Sequence, residues 1–284
     1  MNLSPLPTDL IESLVKSALT EDLGQAGDIT SNFTVPERAR AEAVIAARDL
    51  GVLAGLDFAI ASFKLIDPNI QCDRLIEDGA RLEPYMMALR ISGSGRHVLS
   101  AERVALNFLG HLSGIASETS KLVTAVAGTN CKICDTRKTT PGLRAAEKYA
   151  VRAGGGVNHR FGLYDAILIK DNHIAVAGSV TAALKSAQEN AGHMVQIEIE
   201  VDRLDQLEEA LDAGARAVLL DNMSTDTLKQ AVALNAGRAK LEASGRVSLE
   251  TVRAIADSGV DYISVGRITH SAPCLDLGLD IEIK

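Results

Sequence analysis

Asp212–Asp221 reads DAGARAVLLD, and 45 residues later Asp257–Gly266 reads DSGVDYISVG. Each stretch ends a helical pattern at a glycine suited to a left-handed C-cap, then enters a short apolar run that stops on a polar residue or glycine. That spacing fits two βα units. The same kind of run recurs at KICDT (132–136), AILIK (166–170), QIEIE (196–200), AVLLD (217–221), KLEAS (240–244) and YISVG (262–266). Helical patterns fill the intervals, and Gly192, Gly214, Gly237 and Gly259 are placed to close them. Parallel strands joined by right-handed crossovers form either an open doubly wound sheet or a barrel. A polar residue at the carboxyl end of almost every strand favours the barrel, because those side chains then converge on one mouth, whereas an open sheet concentrates function at a switch point. Six strands do not support a complete eight-stranded closure.

The first half differs in kind. A helix is expected from Asp9 to Leu19, with Leu10, Ile11, Leu14, Val15, Ala18 and Leu19 on one stripe and Asp9 with Glu12 as a capping pair. AEAVIAAR from Ala41, GVLAGL from Gly51 and ALRISGSGR from Ala88 read as antiparallel strands punctuated by glycine and proline. A helix from Ala101 links the halves. The expected organisation is an N-terminal α+β domain over 1–113 and an α/β barrel over 114–272. The alternating tail 273–284, CLDLGLDIEIK from Cys274, is free to return to the first domain.

With 284 residues, 46% hydrophobic and 23% charged, the chain reads as an ordinary globular protein. Aromatics make up 3%, Trp is absent and the net charge is −8, which argues against a nucleic-acid surface. No secretory signal pattern and no membrane-length apolar run occurs, so a cytoplasmic location without membrane partners is expected. Cys72, Cys131, Cys134 and Cys274 are too few and scattered for a disulfide framework. The Cys131/Cys134 pair lies on an expected strand without a second pair, and reads as two inert thiols rather than a zinc site.

Against this acidic background, Asp135–Lys170 carries seven Lys or Arg and three Asp or Glu. A local positive pocket selects small, densely charged anions. Arg137, Lys138 and Arg160 fall at a strand end or in a glycine-rich turn, where paired guanidiniums suit carboxylates and phosphates. Arg144, Lys148 and Arg152, four residues apart, read as a solvated helix face. Lys170 closes its strand as a Schiff-base nucleophile, an anion holder or a snorkelling surface lysine. Glu198 and Glu200 share one strand face and Asp221 ends the next strand. Inward acids of this kind need a divalent cation, a ribose hydroxyl, or an ion pair with Lys170 or Lys138. Magnesium suits such an oxygen-only set better than zinc. Ser244, Gly245 and Gly266 end the last two strands, where backbone N–H groups can face a phosphate. His173 and His270 lie just past strand ends, near the mouth; His97, His111 and His193 read as structural or exposed.

With these residues in place the chain resembles the quinolinate phosphoribosyltransferase family. The likeness rests on TEDLGQAGDITS (20–31), GVLAG from Gly51, AERVALNFLGHLSGIA from Ala101, DTRKTTPGLR from Asp135, GGGVNHRFGLYDAILIKDNHI from Gly154, IEIEV from Ile197, LLDNM from Leu219, LEASG from Leu241 and ISVG from Ile263. The resemblance implies an α+β sandwich beside an incomplete α/β barrel, and a homodimer or higher homo-oligomer whose mouths are each completed by the partner's N-terminal domain. It implies that Arg137, His159, Arg160 and Lys170, with Arg103 of the other subunit, hold quinolinate. Lys138, Glu200 and Asp221 would face 5-phosphoribosyl 1-diphosphate and Mg2+, with the two acids as metal ligands. Ser244, Gly245, Gly266 and His270 would lie near the terminal phosphate. Catalysis would fall to Lys138, Lys170, Glu200 and Asp221. Arg246 and Arg267 depart from the small or uncharged residues usual at their positions.

The implied reaction joins quinolinate to the ribose, releases pyrophosphate and then CO2, and leaves nicotinate mononucleotide, a step of NAD biosynthesis. Two rivals stand beside it: an aldolase-like barrel using Lys170 as a Schiff base, and a noncatalytic or differently specific paralogue binding a phosphorylated or oxyanion ligand, as in molybdate transport.

Overall fold

The computed structural model describes residues 3–283; Met1, Asn2 and Lys284, which the expected domain ranges include, lie outside the described residues. The chain divides into two compact units, one made of 1–120, 140–155 and 271–284, the other of 121–139 and 156–270. The first unit thus takes in two segments beyond the expected boundary at 113.

In the first unit, α1 (Thr8–Leu23) buries Ile11, Val15 and Leu19. It starts behind Pro7 with no side-chain cap; the expected Asp9/Glu12 capping pair is not formed, and Glu12 pairs with Lys16 at 3.2 Å. Proline suits that boundary because its missing N–H is one the helix would leave unbonded. After α2 (Ile29–Thr34), β1 (Arg40–Ala47) alternates with Ala41, Ala43, Ile45 and Ala47 facing inward. Then follow β2 (Gly51–Val52), α3 (Leu56–Ile66), β3 (Gln71–Arg74), β4 (Arg81–Leu82), β5 (Met87–Ser94) and α4 (Gly95–Ala125). β2 is two residues long because Ala54 and Gly55 already turn the chain, with Gly55 at φ 103 before α3. Leu56, Phe63, Ile91, Val98, Ala105 and Leu109 fill the core between β1, β5, α3 and the first half of α4.

The tail forms β12 (Leu277–Ile283), antiparallel to β1, in a sheet of order β12-β1-β5-β3. Just before it, the chain crosses α4 at close range. A Cβ at Gly114 would meet the Pro273 carbonyl oxygen at 2.0 Å, and Leu275 donates its N–H to Gly110 at 2.9 Å. Glycines four residues apart on α4 make this approach. The helix α5 (Arg144–Ala153) also belongs to this unit. Its expected solvated face is corrected at Lys148, which is 3% exposed. Tyr149 donates to Asp78 at 2.6 Å, and Arg152 lies over the Tyr149 ring.

The second unit carries β6 (Lys132–Cys134), β7 (Ile167–Ile169), α6 (Asp171–Ala177), α7 (Val180–Asn190), β8 (Ile197–Val201), α8 (Leu204–Asp212), β9 (Ala217–Asp221), α9 (Thr225–Asn235), β10 (Lys240–Ser244), α10 (Val252–Ala256), β11 (Tyr262–Ser264) and α11 (Arg267–His270). All six expected strands are present. Gly214, Gly237 and Gly259 take positive φ after their helices, although the left-handed C-cap of α9 is Ala236 itself, at φ 46. Gly192 does not: α7 ends at Asn190 on an extended Ala191.

The strands form one parallel sheet of order β6-β11-β10-β9-β8-β7. The first strand returns beside the last, as barrel closure demands, but β6 and β7 are not paired with each other among the described residues. This is an incomplete barrel. Residues 156–160 occupy the free edge of β6: Val157 bridges Cys134 in parallel fashion and donates to Ile133 at 2.9 Å.

The tail crossing gives a test. Gly114→Ala places a methyl where the Pro273 carbonyl sits, and overpacking of that kind costs about 1–3 kcal/mol. A denaturation midpoint lower than wild type is expected; an unchanged midpoint would show that residues 273–275 do not need this approach.

Candidate active site

Because alternate residues of a strand face the same side, the six short strands carry a two-layered set of side chains into the barrel bore. The upper layer, at the carboxyl ends, holds Thr136, Lys170, Glu200, Asp221, Ser244 and Gly266. All six line one cavity of about 710 Å³, together with Arg137, Lys138, His159, Arg160, Gly245 and His270. Every residue of this unit to which the resemblance gives a role in the site therefore gathers at one mouth. Arg103 lies on α4, in the other unit. His173 does not line the cavity; its Nδ1 accepts the Lys170 N–H at 2.9 Å and starts α6.

The positive side of the cavity is built by the segment along β6. Buried Asp135, just past that strand, accepts from Asn158 Nδ2 at 2.6 Å and from the His159 N–H at 2.9 Å. These bonds fix the backbone that carries Arg160. The Arg160 fork donates through Nη1 to the Ala166 carbonyl at 3.0 Å, while its buried Nε has no hydrogen-bond partner among the described residues. Burial, and next the charge of Arg137, push the Arg160 guanidinium below its ordinary value. Two like charges and an unsatisfied donor in one recess make an environment that an anion stabilises.

Lys170 Nζ donates to Glu200 Oε2 at 2.7 Å, across neighbouring strands. The internal lysine, one of the partners open to Glu200 from the sequence, is at hydrogen-bond distance. The ammonium keeps two further donors. Asp221 accepts from Asn222 Nδ2 at 2.7 Å. Asn222 sits at φ 54, a conformation asparagine tolerates, and its Oδ1 would lie 2.2 Å from any Cβ at Gly245, itself at φ 104. Gly245 is doubly required. A Cβ at Gly266 would meet Lys138 Cδ at 2.9 Å, so a side chain there would displace the lysine; Thr269 Oγ1 donates to the Lys138 carbonyl at 2.7 Å. The Lys138 side chain is laid across a glycine, with its backbone anchored from α11.

Glu200 and Asp221 form an oxygen-only pair at the ends of adjacent strands β8 and β9, in the same cavity as the cations. Such a pair fits Mg2+, which takes one or two carboxylates, waters and substrate phosphates. Glu198, expected on the same strand face with a metal or a ribose, is engaged otherwise. In the layer below, its Oε2 meets His159 Nε2 at 2.9 Å, and Glu242 Oε1 lies 3.7 Å from the same nitrogen. Glu242 Oε2 accepts from the Cys134 thiol at 3.7 Å. Burial, then the Glu198 charge, push the Glu242 carboxyl up to about 7. Cys131 and Cys134 are buried, and burial raises both thiols, Cys131 to about 12, in keeping with inert side chains.

The sequence reading missed Thr136, Asn222 and Glu242 among the lining residues. Glu242 had a visible signal: it stands two residues before Ser244 on one strand, so it shares the inward face. Arg246 and Arg267 also line the cavity, adding charge beside Gly245 and Gly266.

The family profile described as quinolinate phosphoribosyl transferase, C-terminal domain, matches residues 115–280, and the N-terminal domain of the same family matches residues 28–113. The chain is 44% identical over 287 residues to the carboxylating nicotinate-nucleotide pyrophosphorylase of Mycobacterium leprae, covering 98% of this chain and 100% of that one. It is 38% identical over 296 residues to the mitochondrial decarboxylating quinolinate phosphoribosyltransferase 2b of Nicotiana tabacum, covering 98% and 84%. The crystal structure of NadC from Streptococcus pyogenes superposes with a TM-score of 0.95 at 43% identity, over 99% of both chains.

The buried acid pair yields a pH prediction. An ordinary glutamate titrates at 4.5, and Glu242 at about 7. The native state therefore holds the extra proton between these values; the contribution of this carboxyl to stability is fullest below pH 4.5 and is lost as pH rises through 7. Glu242→Gln removes the titrating group, so its melting temperature relative to wild type should rise by about a few degrees between pH 5 and pH 8. A relative melting temperature that does not change with pH would refute this.

Proposed function

The chain belongs to the quinolinate phosphoribosyltransferase family, and from that premise we propose that it transfers the phosphoribosyl group of 5-phosphoribosyl 1-diphosphate to quinolinate with decarboxylation, in NAD biosynthesis. The observation that carries this reading is the shared cavity, in which Arg137, Arg160 with its unpartnered Nε, and Lys170 stand together with Glu200 and Asp221. A site for a single anion has no need of both the cation cluster and the acid pair.

Arg137, Arg160 and Lys170 hold the two pyridine carboxylates. Lys138, Ser244, Gly245, Gly266 and His270 hold the phosphates of the second substrate. Glu200 and Asp221 would hold Mg2+, which when bound neutralises charge on the diphosphate. The pyridine nitrogen attacks the anomeric carbon as the bond to the diphosphate oxygen breaks, so negative charge grows on the leaving pyrophosphate and positive charge on the ribose. Lys138 faces the former; the carboxylate edge of Glu200 or Asp221 faces the latter. The nitrogen, now quaternary, accepts the electron pair released when the adjacent carboxylate leaves as CO2, and the ring carbon then takes a proton from solvent. Arg137 and Arg160 keep hold of the remaining carboxylate. Neither a Schiff base at Lys170 nor a carbon-activating cofactor enters this sequence.

The oligomer we propose is a homodimer or a higher homo-oligomer in which Arg103 of the partner subunit completes each mouth. Four free cysteines suit a reducing, cytoplasmic setting, and no helix of the described residues is long and apolar enough to cross a membrane.

Pyrophosphate release with quinolinate against nicotinate tests the assignment. Turnover should require quinolinate, and equal use of nicotinate, or no release with either, would overturn the reading. Arg160→Ala should lower kcat/KM for quinolinate by about a hundredfold or more, because it removes charged bonds to a carboxylate. Full turnover in that variant would remove Arg160 from the site. Chelation by EDTA should abolish release and added Mg2+ should restore it; activity unaffected by EDTA would rule the metal out.

A further inference from the structure

His159 stands beside the proposed quinolinate site, yet both ring nitrogens are already occupied within the protein. Nδ1 accepts the backbone N–H of Arg160 at 2.8 Å, and Nε2 faces Glu198 Oε2 at 2.9 Å with Glu242 Oε1 at 3.7 Å. An acceptor nitrogen carries no proton, so the ring's proton lies on Nε2 and points at the acids. A ring flip would put carbon at both contacts, so only this orientation makes both bonds. The same logic disposes of the cluster's other use. His159, Glu198 and Glu242 have metal-ligand spacing, but an Nε2 that bears hydrogen cannot ligate a cation.

We propose that His159 is a positioning residue rather than a substrate ligand: as the neutral Nε2–H tautomer seated on Glu198 and Glu242, it clamps the backbone of Arg160 and so aims that guanidinium at a quinolinate carboxylate. The inference rests on the functional reading above and changes one part of it, the direct contact with quinolinate that the family resemblance implies for His159. Arg160 is then held from two ends, its N–H by the imidazole and its Nη1 by the Ala166 carbonyl, leaving Nη2 at the outer end of the fork for the substrate. A fork held in this way loses little freedom on binding. Glu198 and Glu242 act through the ring, and neither touches substrate.

Two substitutions separate the ring's two ends. In His159→Asn the side-chain carbonyl oxygen takes the place of Nδ1 and still accepts the Arg160 N–H. In His159→Gln the amide N–H takes the place of Nε2–H, and the Arg160 contact is lost. With the full-length enzyme and Mg2+, the Asn variant should keep the quinolinate KM within about threefold of wild type, whereas the Gln variant should raise it by about tenfold, the worth of one such hydrogen bond. The KM for 5-phosphoribosyl 1-diphosphate should move in neither. The reverse order, or equal losses, overturns the proposal.

Nitrogen-15 spectra of histidine-labelled wild-type protein give a readout independent of folding in the variants. They should show His159 protonated at Nε2 alone, both free and with quinolinate. A proton at Nδ1 in either state overturns the proposal. A wild-type protein that releases no pyrophosphate from quinolinate sinks the functional reading instead, while the tautomer in the free protein still decides the role of the ring.

Discussion

Between β6 and β7 the parallel sheet is open, and the mouth of the barrel depends on how residues 156–160 lie along that edge. Asp135 is the anchor. Fully buried just beyond β6, it accepts from the Asn158 amide and from the backbone of His159, while Val157 bridges Cys134 as a single parallel rung. A carboxylate taken out of water must be compensated, and these donors compensate it. In return the segment is fixed in place, and the next residue, Arg160, is delivered to the cavity. An incomplete barrel thus uses its unpaired edge to carry a cation where a seventh strand would otherwise run.

The bore is layered by charge. At the carboxyl ends, Lys170 and Glu200 pair, Asp221 is held by Asn222, and glycines admit the Lys138 side chain and the Asn222 amide at distances no Cβ would tolerate. One layer down, Glu198 and Glu242 surround a single imidazole N–H, and burial favours the protonated form of Glu242. The upper layer is polar and suited to reactants. The lower one holds the upper one's geometry, and acids of similar appearance on one strand, Glu198 and Glu200, have different partners.

Much of this was open to reading from the chain. Short apolar runs ending on a polar residue or glycine located all six barrel strands, because buried parallel strands must be short, continuous and apolar. The convergence of Arg137, Lys170, Glu200 and Asp221 followed from strand ends alone, since any parallel barrel brings those ends to one face, whereas Arg160 was read from its glycine-rich turn. Lys148 was misread because helical spacing of charge looks the same on a solvated face and in an interior that supplies partners.

The amino-acid sequence by itself determined the strand count, the mouth and the sign of the charge there, since each follows from local periodicity and from the geometry shared by all parallel barrels. Only the tertiary structure decided where the barrel stays open, that Gly114 and Gly245 are required by atoms far away in the chain, and that Glu198 faces a histidine. Those outcomes depend on which distant groups meet at hydrogen-bond distance, and no local pattern encodes a distance between residues 39 or 159 positions apart.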